Sequence, residues 1–444
     1  MYQLTIVGIL LTPAYAQYGG PAILSRGQAP TGMSPAQIDF RPFVTFEGNY
    51  DTGLNGVSVD QNGKLVNDSG IGVSLSAGVS GLHSWKHTML GLDYRISFRH
   101  YGNQSFYDGS DQALMLGLTQ QLSRHVMFSL RQSAGLSSQN YTQPILSSTI
   151  PFDPGIAYLP TTDFFDNRTI YFSTQADLRV QRSTRLSYDV GVDGFLTRRR
   201  STALFGNKGV GARGDVQYRA SRSITVGAAY SYTHYKFIGI LSSTDVHGGV
   251  GTFSTRLSKT MEFSANAGFA FYETKFVRVV PIDPVVAAVI CPPPGTTTQP
   301  CVATQLFYGR NWSPNISARL SKTVPRGVLT LSGGHSITPG NGLFLTSASS
   351  TVNAGYGYTG LKRWSLNASS GYSWSDSVGN IIGRYASYSI GASVSRQIIT
   401  STHFVLGFNA HSYDSPDFKN YNRWAYNIHL GLGFTPGDVP IRLW

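Results

Sequence analysis

The chain has 444 residues and a formal net charge of +12, yet only 13% of its residues are charged, against about 25% in soluble domains. Hydrophobic residues make up 41%, and no internal run reaches the roughly 18 apolar residues that a membrane-spanning helix needs. The composition therefore excludes an ordinary soluble surface and helical spans, and it favours a protein that crosses a membrane with β-strands.

The start of the chain, residues 1–16, has the pattern of a signal peptide. Leu4–Leu11 is apolar, and Ala14-Tyr15-Ala16 matches a cleavage site. The segment begins without Lys or Arg, so a start upstream of Met1 and a buried strand remain alternatives. Residues 17–38 are rich in Gly, Pro, Ser and Ala without periodicity, which predicts a flexible periplasmic lead-in.

An alternation with a period of two begins at Asp39 and runs through 39–434, which is the predicted barrel. In the segment 86–99, apolar side chains such as Tyr94 share one face and charged ones such as Asp93 share the other. Charged side chains cannot face lipid, so the second face must look into a wet lumen. The pattern predicts membrane strands rather than a soluble β-sandwich or β-helix.

Short polar junctions recur along the chain and predict tight turns. They lie at residues 83–86, 122–125, 181–184, 220–223, 257–260, 320–323, 360–363 and 394–397. Two longer intervals contain the insertions 140–166 and 279–303. Short turns that alternate with longer loops are typical of an outer-membrane barrel, with the turns in the periplasm and the loops outside.

The turns also give a strand count. Each turn joins two strands, and a first strand at 39–50 and a last strand at 423–434 bring the total to about 18, with 16 as the alternative. An even count places both ends of the barrel in the periplasm, as an exported chain requires. The predicted fold is an all-β, antiparallel, up-and-down transmembrane barrel in the cell outer membrane.

The last strand carries the clearest membrane pattern. Its predicted lipid face has aromatic side chains at both ends and aliphatic ones between: Trp424, Tyr426, Ile428, Leu430, Leu432 and Phe434. Pro436 and Pro440 then interrupt the ladder, so residues 435–444 are predicted to form a C-terminal tail.

On these strands the chain resembles Gram-negative outer-membrane porin-like barrels, and its tail TPGDVPIRLW resembles the endings of acidobacterial members. The resemblance implies that the barrel-assembly machinery reads an aromatic residue at the end of the final strand. Phe434 fits this role better than Trp444, because its strand is uninterrupted. Contacts with outer-membrane lipids are expected, and a homotrimer is left open.

Two features lie outside the strands. Cys291 and Cys301 are predicted to form a disulfide that closes a short loop in an oxidising compartment. No further ligand lies near them, so we expect neither a metal nor a cofactor. The basic run Arg198-Arg199-Arg200 falls at an outer strand end and is a candidate contact for lipopolysaccharide phosphates, with a solvated loop as the alternative.

The lumen face holds the candidate functional residues, which are mixed in sign with an excess of Arg. The predicted pore-lining side chains are Asp93, Arg95, Arg99, Arg131, Asp189, Asp193, Arg213, Asp215, Arg219, Glu262 and Arg319. About 18 strands enclose water, so the sequence predicts passive diffusion of small hydrophilic solutes with a weak preference for anions. The alternative role of these charges is to solvate the lumen and pair with each other.

Other classes of function fit less well. The basic residues recur at the tight turns rather than in one patch with aromatics, which argues against nucleic acid as a partner. The chain lacks G-x-S-x-G and H-E-x-x-H, and we expect no enzyme. The alternatives to a channel are a non-conducting structural or adhesive barrel that works through its extracellular loops and, second, an outer-membrane enzyme acting on lipid.

Overall fold

The computed structural model describes residues 41–52, 69–102, 108–137, 168–201, 204–280, 303–340, 345–358, 361, 363–378, 384–399, 401–414 and 423–435. These residues form strands β1 (Arg41–Thr52), β2 (Ser69–Ser84), β3 (Thr88–Tyr101), β4 (Gly109–Gln121), β5 (Val126–Ser137), β6 (Thr169–Gln181), β7 (Leu186–Arg199), β8 (Gly206–Arg219), β9 (Ile224–Ile238), β10 (Ser243–Ser258), β11 (Met261–Val280), β12 (Ala303–Val324), β13 (Gly327–Thr338), β14 (Ser347–Tyr358), β15 (Trp364–Ser377), β16 (Arg384–Ile399), β17 (Thr402–Asp414) and β18 (Arg423–Phe434).

The strands close into one antiparallel barrel of 18 strands. Each strand pairs with its neighbours in the sequence, and β1 pairs with both β2 and β18. At this seam Val44 lies opposite Phe434 and Asp51 lies opposite Asn427. Closure gives each strand a paired neighbour on both sides, which a sheet in lipid requires. Among the described residues, the part of β12 before Ile316 lacks a ladder partner on its β13 side. The predicted fold class is confirmed, and the alternative count of 16 is wrong.

The alternation predicted from the sequence is visible in the exposure of the side chains. On β7, Val190 and Val192 are 59% and 57% exposed, whereas Asp189, on the opposite face of the strand, is only 4% exposed. Apolar side chains thus form the outside of the wall, and polar ones point inward. Among the residues that the structure describes, no helix has the length and apolar character needed to span a membrane.

The closing strand β18 follows the same rule. The side chains predicted for its lipid face are all exposed, between 41% and 51%: Trp424, Tyr426, Ile428, Leu430, Leu432 and Phe434. Ala425 and Asn427, on the other parity, are buried. Because β18 must pair with both β17 and β1, its outer face forms the seam of the lipid-facing wall.

Two of the predicted tight turns are wrong. Residues 320–323 continue β12, and the chain reverses at Pro325-Arg326 instead. Residues 394–397 continue β16, which ends at Ile399. Proline lacks the N–H that a ladder needs, so it favours the turn. Ser, Lys and Arg by themselves do not end a strand where the wall meets water.

The outer connections are not all long. Residues 239–242 alone join β9 to β10, where Gly239 has a φ of 89°, a conformation that glycine adopts without strain. The predicted insertion 140–166, the cysteine pair and the segments 1–16 and 17–38 lie outside the described residues, as does the tail beyond Thr435. Of the second predicted insertion, 279–303, residues 281–302 lie outside them, while its two ends belong to β11 and β12. The same holds for residues 39 and 40 of the predicted first strand.

Candidate functional site

The structure places the side chains predicted to line the pore on the inward parity of their strands. These are Asp93, Arg95 and Arg99 of β3, Arg131 of β5, Asp189 and Asp193 of β7, Arg213, Asp215 and Arg219 of β8, Glu262 of β11 and Arg319 of β12. Most of them lie on the arc from β3 to β8. This arc is therefore the strongly charged side of the lumen.

Ion pairs connect the strands of the charged arc. Arg99 pairs with Asp111 across β3 and β4, and Arg213 of β8 reaches past β7 to Asp177 of β6. Gln175 also donates to Asp177, at 3.1 Å. Because charges with partners and hydrogen bonds tolerate partial burial, this network is a stable lining for the wall.

A third pair completes the network. Arg179 of β6 and Asp189 of β7 lie 3.2 Å apart. Asp111, Asp177 and Arg179 were not among the side chains predicted to line the pore. Each of these three residues alternates along its strand with side chains that point outward. Their position in this alternation was therefore the sequence signal that could have identified them as lumen-facing.

These additions change the charge balance of the lumen. Among the side chains that the structure describes, inward carboxylates and guanidiniums are equal in number. The carboxylates are Glu47, Asp51, Asp93, Asp111, Asp177, Asp189, Asp193, Asp215 and Glu262, and the guanidiniums are Arg95, Arg99, Arg131, Arg179, Arg199, Arg213, Arg219, Arg256 and Arg319. The expected excess of Arg does not hold for these described faces.

The opposite arc, from β13 to β16, has a different lining. Its inward face is built largely from serine, and the hydroxyls pair across neighbouring strands. Ser365 and Ser395 lie 2.6 Å apart, and Ser373 and Ser387 also lie 2.6 Å apart. One side of the lumen is therefore charged and the other is neutral and polar. Across the described residues, no three His, Cys, Asp or Glu side chains converge into a metal site.

The β13–β14 hairpin enters the lumen. Pairing between β12 and β13 runs only from Val324 to Ile316, where Ile316 lies opposite His335. Beyond that point β13 separates from β12 but stays paired with β14 up to Thr338, and β14 stays paired with β15 along its whole length. We call the described residues 335–340 and 345–351 the inserted tip.

Contacts with inward side chains of the facing wall hold the inserted tip. The Tyr235 hydroxyl of β9 donates to the backbone oxygen of Thr338, at 3.4 Å. The Thr244 hydroxyl of β10 lies 2.6 Å from that of Thr346 and 2.8 Å from that of Thr274. Leu345 packs with Tyr235 and Phe237 in a buried cluster. The tip therefore lies against the inside of β9, β10 and β11.

His335 joins the inserted tip to β12. Its Nε2 lies 3.1 Å from the Ser313 hydroxyl, and its Nδ1 lies 2.6 Å from the Ser350 hydroxyl. Ser313 belongs to the inward parity of β12, whereas His335 belongs to the parity that faces outward lower on β13. The contact forms because the tip lies inside the β12 wall, and it makes His335 a structural bridge.

Burial on both parities confirms that the inserted tip is enclosed. Its buried residues are Thr338, Leu345, Thr346, Ser347, Ser349, Ser350 and Thr351. A strand of the wall would expose every second side chain to lipid. The tip therefore occupies part of the lumen and narrows it beside β9–β12. The tip was not predicted from the sequence, although the run Ser347–Thr351 lacks the usual apolar alternation.

No protein-family model matches the chain, and no curated protein matches it either. Several solved structures are similar to the chain at low identity. A BenF-like porin from Pseudomonas fluorescens Pf-5 has a TM-score of 0.43 and 10% identity, over 89% of this chain and 99% of that one. Pseudomonas aeruginosa OpdO has a TM-score of 0.40 and 12% identity, over 92% and 99%. Acinetobacter baumannii OccAB4 has a TM-score of 0.38 and 12% identity, over 90% and 98%.

Proposed function

We propose that the protein is an outer-membrane channel for the passive diffusion of small hydrophilic solutes. The observation that carries the proposal is a closed wall of 18 strands with an apolar outside and a polar, charged inside. Barrels of 16–18 strands leave an aqueous channel, whereas about 8 strands are filled by their own side chains. Ion pairs and serine hydroxyls are the lining of a channel rather than of an active site.

The inserted tip supports a limit on solute size. It places Leu345, Thr346 and the serines of β14 on the inside of β9–β11, while the charged arc lines other strands of the same lumen. A permeating solute would pass between a charged and a neutral polar surface. Such a constriction selects by size and by hydrogen bonding as well as by charge.

We propose a weak preference for anions on the basis of exposure within the ion pairs. The side chain of Arg213 is 22% exposed and that of its partner Asp177 is 6% exposed. Arg179 and Asp189 show the same order, at 20% and 5%. In these two pairs the guanidinium faces the water more than the carboxylate does, whereas the Arg99–Asp111 pair has the reverse order, at 4% and 11%. Because the described charges balance in number, the preference should be small.

The first test is conductance in a planar bilayer. Purified, folded protein should give discrete ion-conducting steps, because water fills the lumen around the inserted tip. Heat-denatured protein from the same preparation is the control and should give none. An absence of steps from folded protein would reject the channel and favour the non-conducting barrel that acts through its outer loops.

The second test is the reversal potential in a KCl gradient. The native protein should show a slight preference for chloride, and Arg179→Gln with Arg213→Gln should shift the reversal potential toward potassium. Arg124→Gln with Arg222→Gln, at exposed tight turns, removes the same charge away from the lumen and should shift it less. A native preference for potassium would reject the anion preference and leave the channel itself standing.

A further inference from the structure

Three lysines on the outside of the barrel form a row across neighbouring strands. Lys208 of β8 lies directly opposite Lys236 of β9. Lys236 lies opposite Ser243 of β10, and Ser243 lies opposite Lys275 of β11. All belong to the outward parity, shared with Val210, and Lys208 and Lys236 are exposed. We call Lys208, Lys236 and Lys275 the outer lysine row.

The outer lysine row lies at the outer edge of the apolar band, where Tyr308 is opposite Lys275 and the exposed Leu306 is two residues farther out. Lys236 is four residues past Tyr232, and Lys275 is four residues past Phe271, whose ring centroid lies 5.2 Å from that of Trp312. At about 3.3 Å per residue, the Cα atom of each lysine is roughly 13 Å along the strand from that of the aromatic residue. Aromatic rings mark the membrane interface. The lysines therefore stand at headgroup level, at the end of the barrel away from the tight turns.

The nearby carboxylates contact other side chains, and Asp245 also interacts electrostatically with Lys275. Asp245 accepts from the Tyr232 hydroxyl at 2.7 Å and contacts His234 at 2.8 Å. Glu273 pairs with Arg310, at 3.2 Å. Within the described residues, no ion pair joins a carboxylate to Lys208 or Lys236. The region therefore keeps a positive surplus on its outward face.

This surplus of positive charge destabilises the folded protein when no anion is bound. Like charges directly opposite each other on adjacent strands destabilise a sheet, and Lys208 and Lys236 have this arrangement. Lys275 differs in that its Nζ lies 5.8 Å from the centre of the Tyr308 ring. An anion held between the ammonium groups of Lys208 and Lys236 would turn this repulsion into attraction.

We propose that the outer lysine row binds the phosphate groups of a phosphorylated lipid headgroup in the outer leaflet, that of lipopolysaccharide. Neighbouring strands lie about 4.8 Å apart, so Lys208 and Lys236 reach the same phosphate. Lys275, two strands from Lys236, reaches a second phosphate of the headgroup. Basic side chains at a membrane surface attract anionic headgroups. This site is separate from the lumen and does not depend on conduction.

The test is lipid retention by the folded full-length protein, measured by native mass spectrometry from detergent micelles. The probes are diphosphorylated lipid A, its dephosphorylated form and inorganic phosphate. The variant combines Lys208→Gln, Lys236→Gln and Lys275→Gln. Its matched control combines Arg124→Gln, Arg222→Gln and Lys259→Gln, which removes three charges at exposed tight turns. A third protein with Lys→Arg at the outer lysine row keeps the charge.

Diphosphorylated lipid A should remain bound to the native protein, to the tight-turn control and to the Lys→Arg protein. Binding to the Lys→Gln variant should weaken about tenfold or more, since each lysine at a membrane surface contributes about fivefold. Equal binding by the native protein and the Lys→Gln variant would overturn the proposal. So would equal binding of dephosphorylated lipid A, or displacement of the lipid by equimolar inorganic phosphate. Heat-modifiable migration on gels verifies that each variant is folded.

Discussion

At the scale of single residues, Asp51 is the most enclosed charge among the residues that the structure describes. Its exposure is 0%, and it accepts hydrogen bonds from the Tyr101 hydroxyl and from Nδ2 of Asn427. These three residues belong to β1, β3 and β18, so the contact ties the closing seam to a third strand. Thr52 adds a backbone contact, because its hydroxyl accepts the Tyr426 N–H at 2.8 Å.

Asp51→Ala should lower the free energy of unfolding by roughly 2–4 kcal/mol, because it leaves the buried hydroxyl of Tyr101 and the amide of Asn427 without an acceptor. Urea unfolding in lipid vesicles measures the change. Glu47→Ala, on the same inward face of β1 and less buried, is the matched control and should cost less than 1 kcal/mol, roughly the scale of surface substitutions. Equal losses for both would show that Asp51 does not hold the seam.

Asp108, just before β4, gives a prediction on pH. The backbone N–H of Tyr101, which donates to its carboxylate at 2.8 Å, holds the pKa of Asp108 below its ordinary value, and His100 at 2.7 Å adds to the effect. Because folding lowers this pKa, the contact stabilises the folded end of β3 at pH values above the pKa of the unfolded chain, about 3.9. The stabilisation is lost as pH falls through the folded value.

A ¹³C titration of aspartate carboxyl groups measures this pKa. The midpoint of Asp108 should lie below 3.9, roughly the unperturbed value. In His100→Ala it should rise only part of the way, because the backbone donor remains. A midpoint at the ordinary value in the native protein would contradict the contact.

At the scale of elements, the β13–β14 hairpin departs from the rule that the other strands follow. Wall strands alternate between lipid and lumen, but the inserted tip is buried on both parities. Serine and threonine hydroxyls suit this position, because they satisfy each other at close range, as Ser349 does with Ser375 at 2.7 Å. The tip is therefore the element that sets the free cross-section.

Shortening the inserted tip should raise the single-channel conductance. Replacing residues 339–346 by Asn-Gly joins Thr338 to Ser347, which already lie opposite each other, through a two-residue hairpin turn. The change removes Leu345 and Thr346, the two anchors on β9 and β10. Leu241→Ser, in the exposed β9–β10 connection, is the control and should leave conductance unchanged. A shortened tip with native conductance would show that it does not narrow the path.

At the scale of the whole molecule, the net charge of +12 does not reside in the lumen. The described inward charges balance. Exposed basic residues lie instead at the tight turns, as Arg124, Arg222 and Lys259 do, and in the outer lysine row. The charge of the protein therefore acts mainly at the two membrane surfaces, where anionic lipids are its natural counterions.

Closure of the barrel can be tested covalently. Asn49 and His429 lie directly opposite each other across the β1–β18 seam, a spacing that a disulfide can bridge. Asn49→Cys with His429→Cys, in a background with Cys291→Ser and Cys301→Ser, should cross-link on oxidation and migrate faster when denatured, because the chain becomes a loop. Asn49→Cys with Ser317→Cys, on strands that do not pair, is the control. Failure of the seam pair to cross-link would contradict closure.

The sequence by itself determined the barrel, its strand count and the face of each charged residue named from it. Lipid and water act on each strand separately, so the alternation of Trp424 to Phe434, or of Asp93 among apolar neighbours, is a local property that can be read along the chain. The two turns that were predicted at the wrong residues show where a prediction from local sequence fails. Polar residues occur both in turns and at strand ends that reach water, so they do not by themselves indicate a turn.

Only the tertiary structure decided how the lumen is filled and where its charges pair. Thr244 and Thr346 meet across 102 residues of sequence, and Asp51 meets Asn427 across 376. Arg213 finds Asp177 by reaching over an intervening strand. Such contacts depend on which strands face each other once the sheet has closed. The alternation within a single strand does not contain this information.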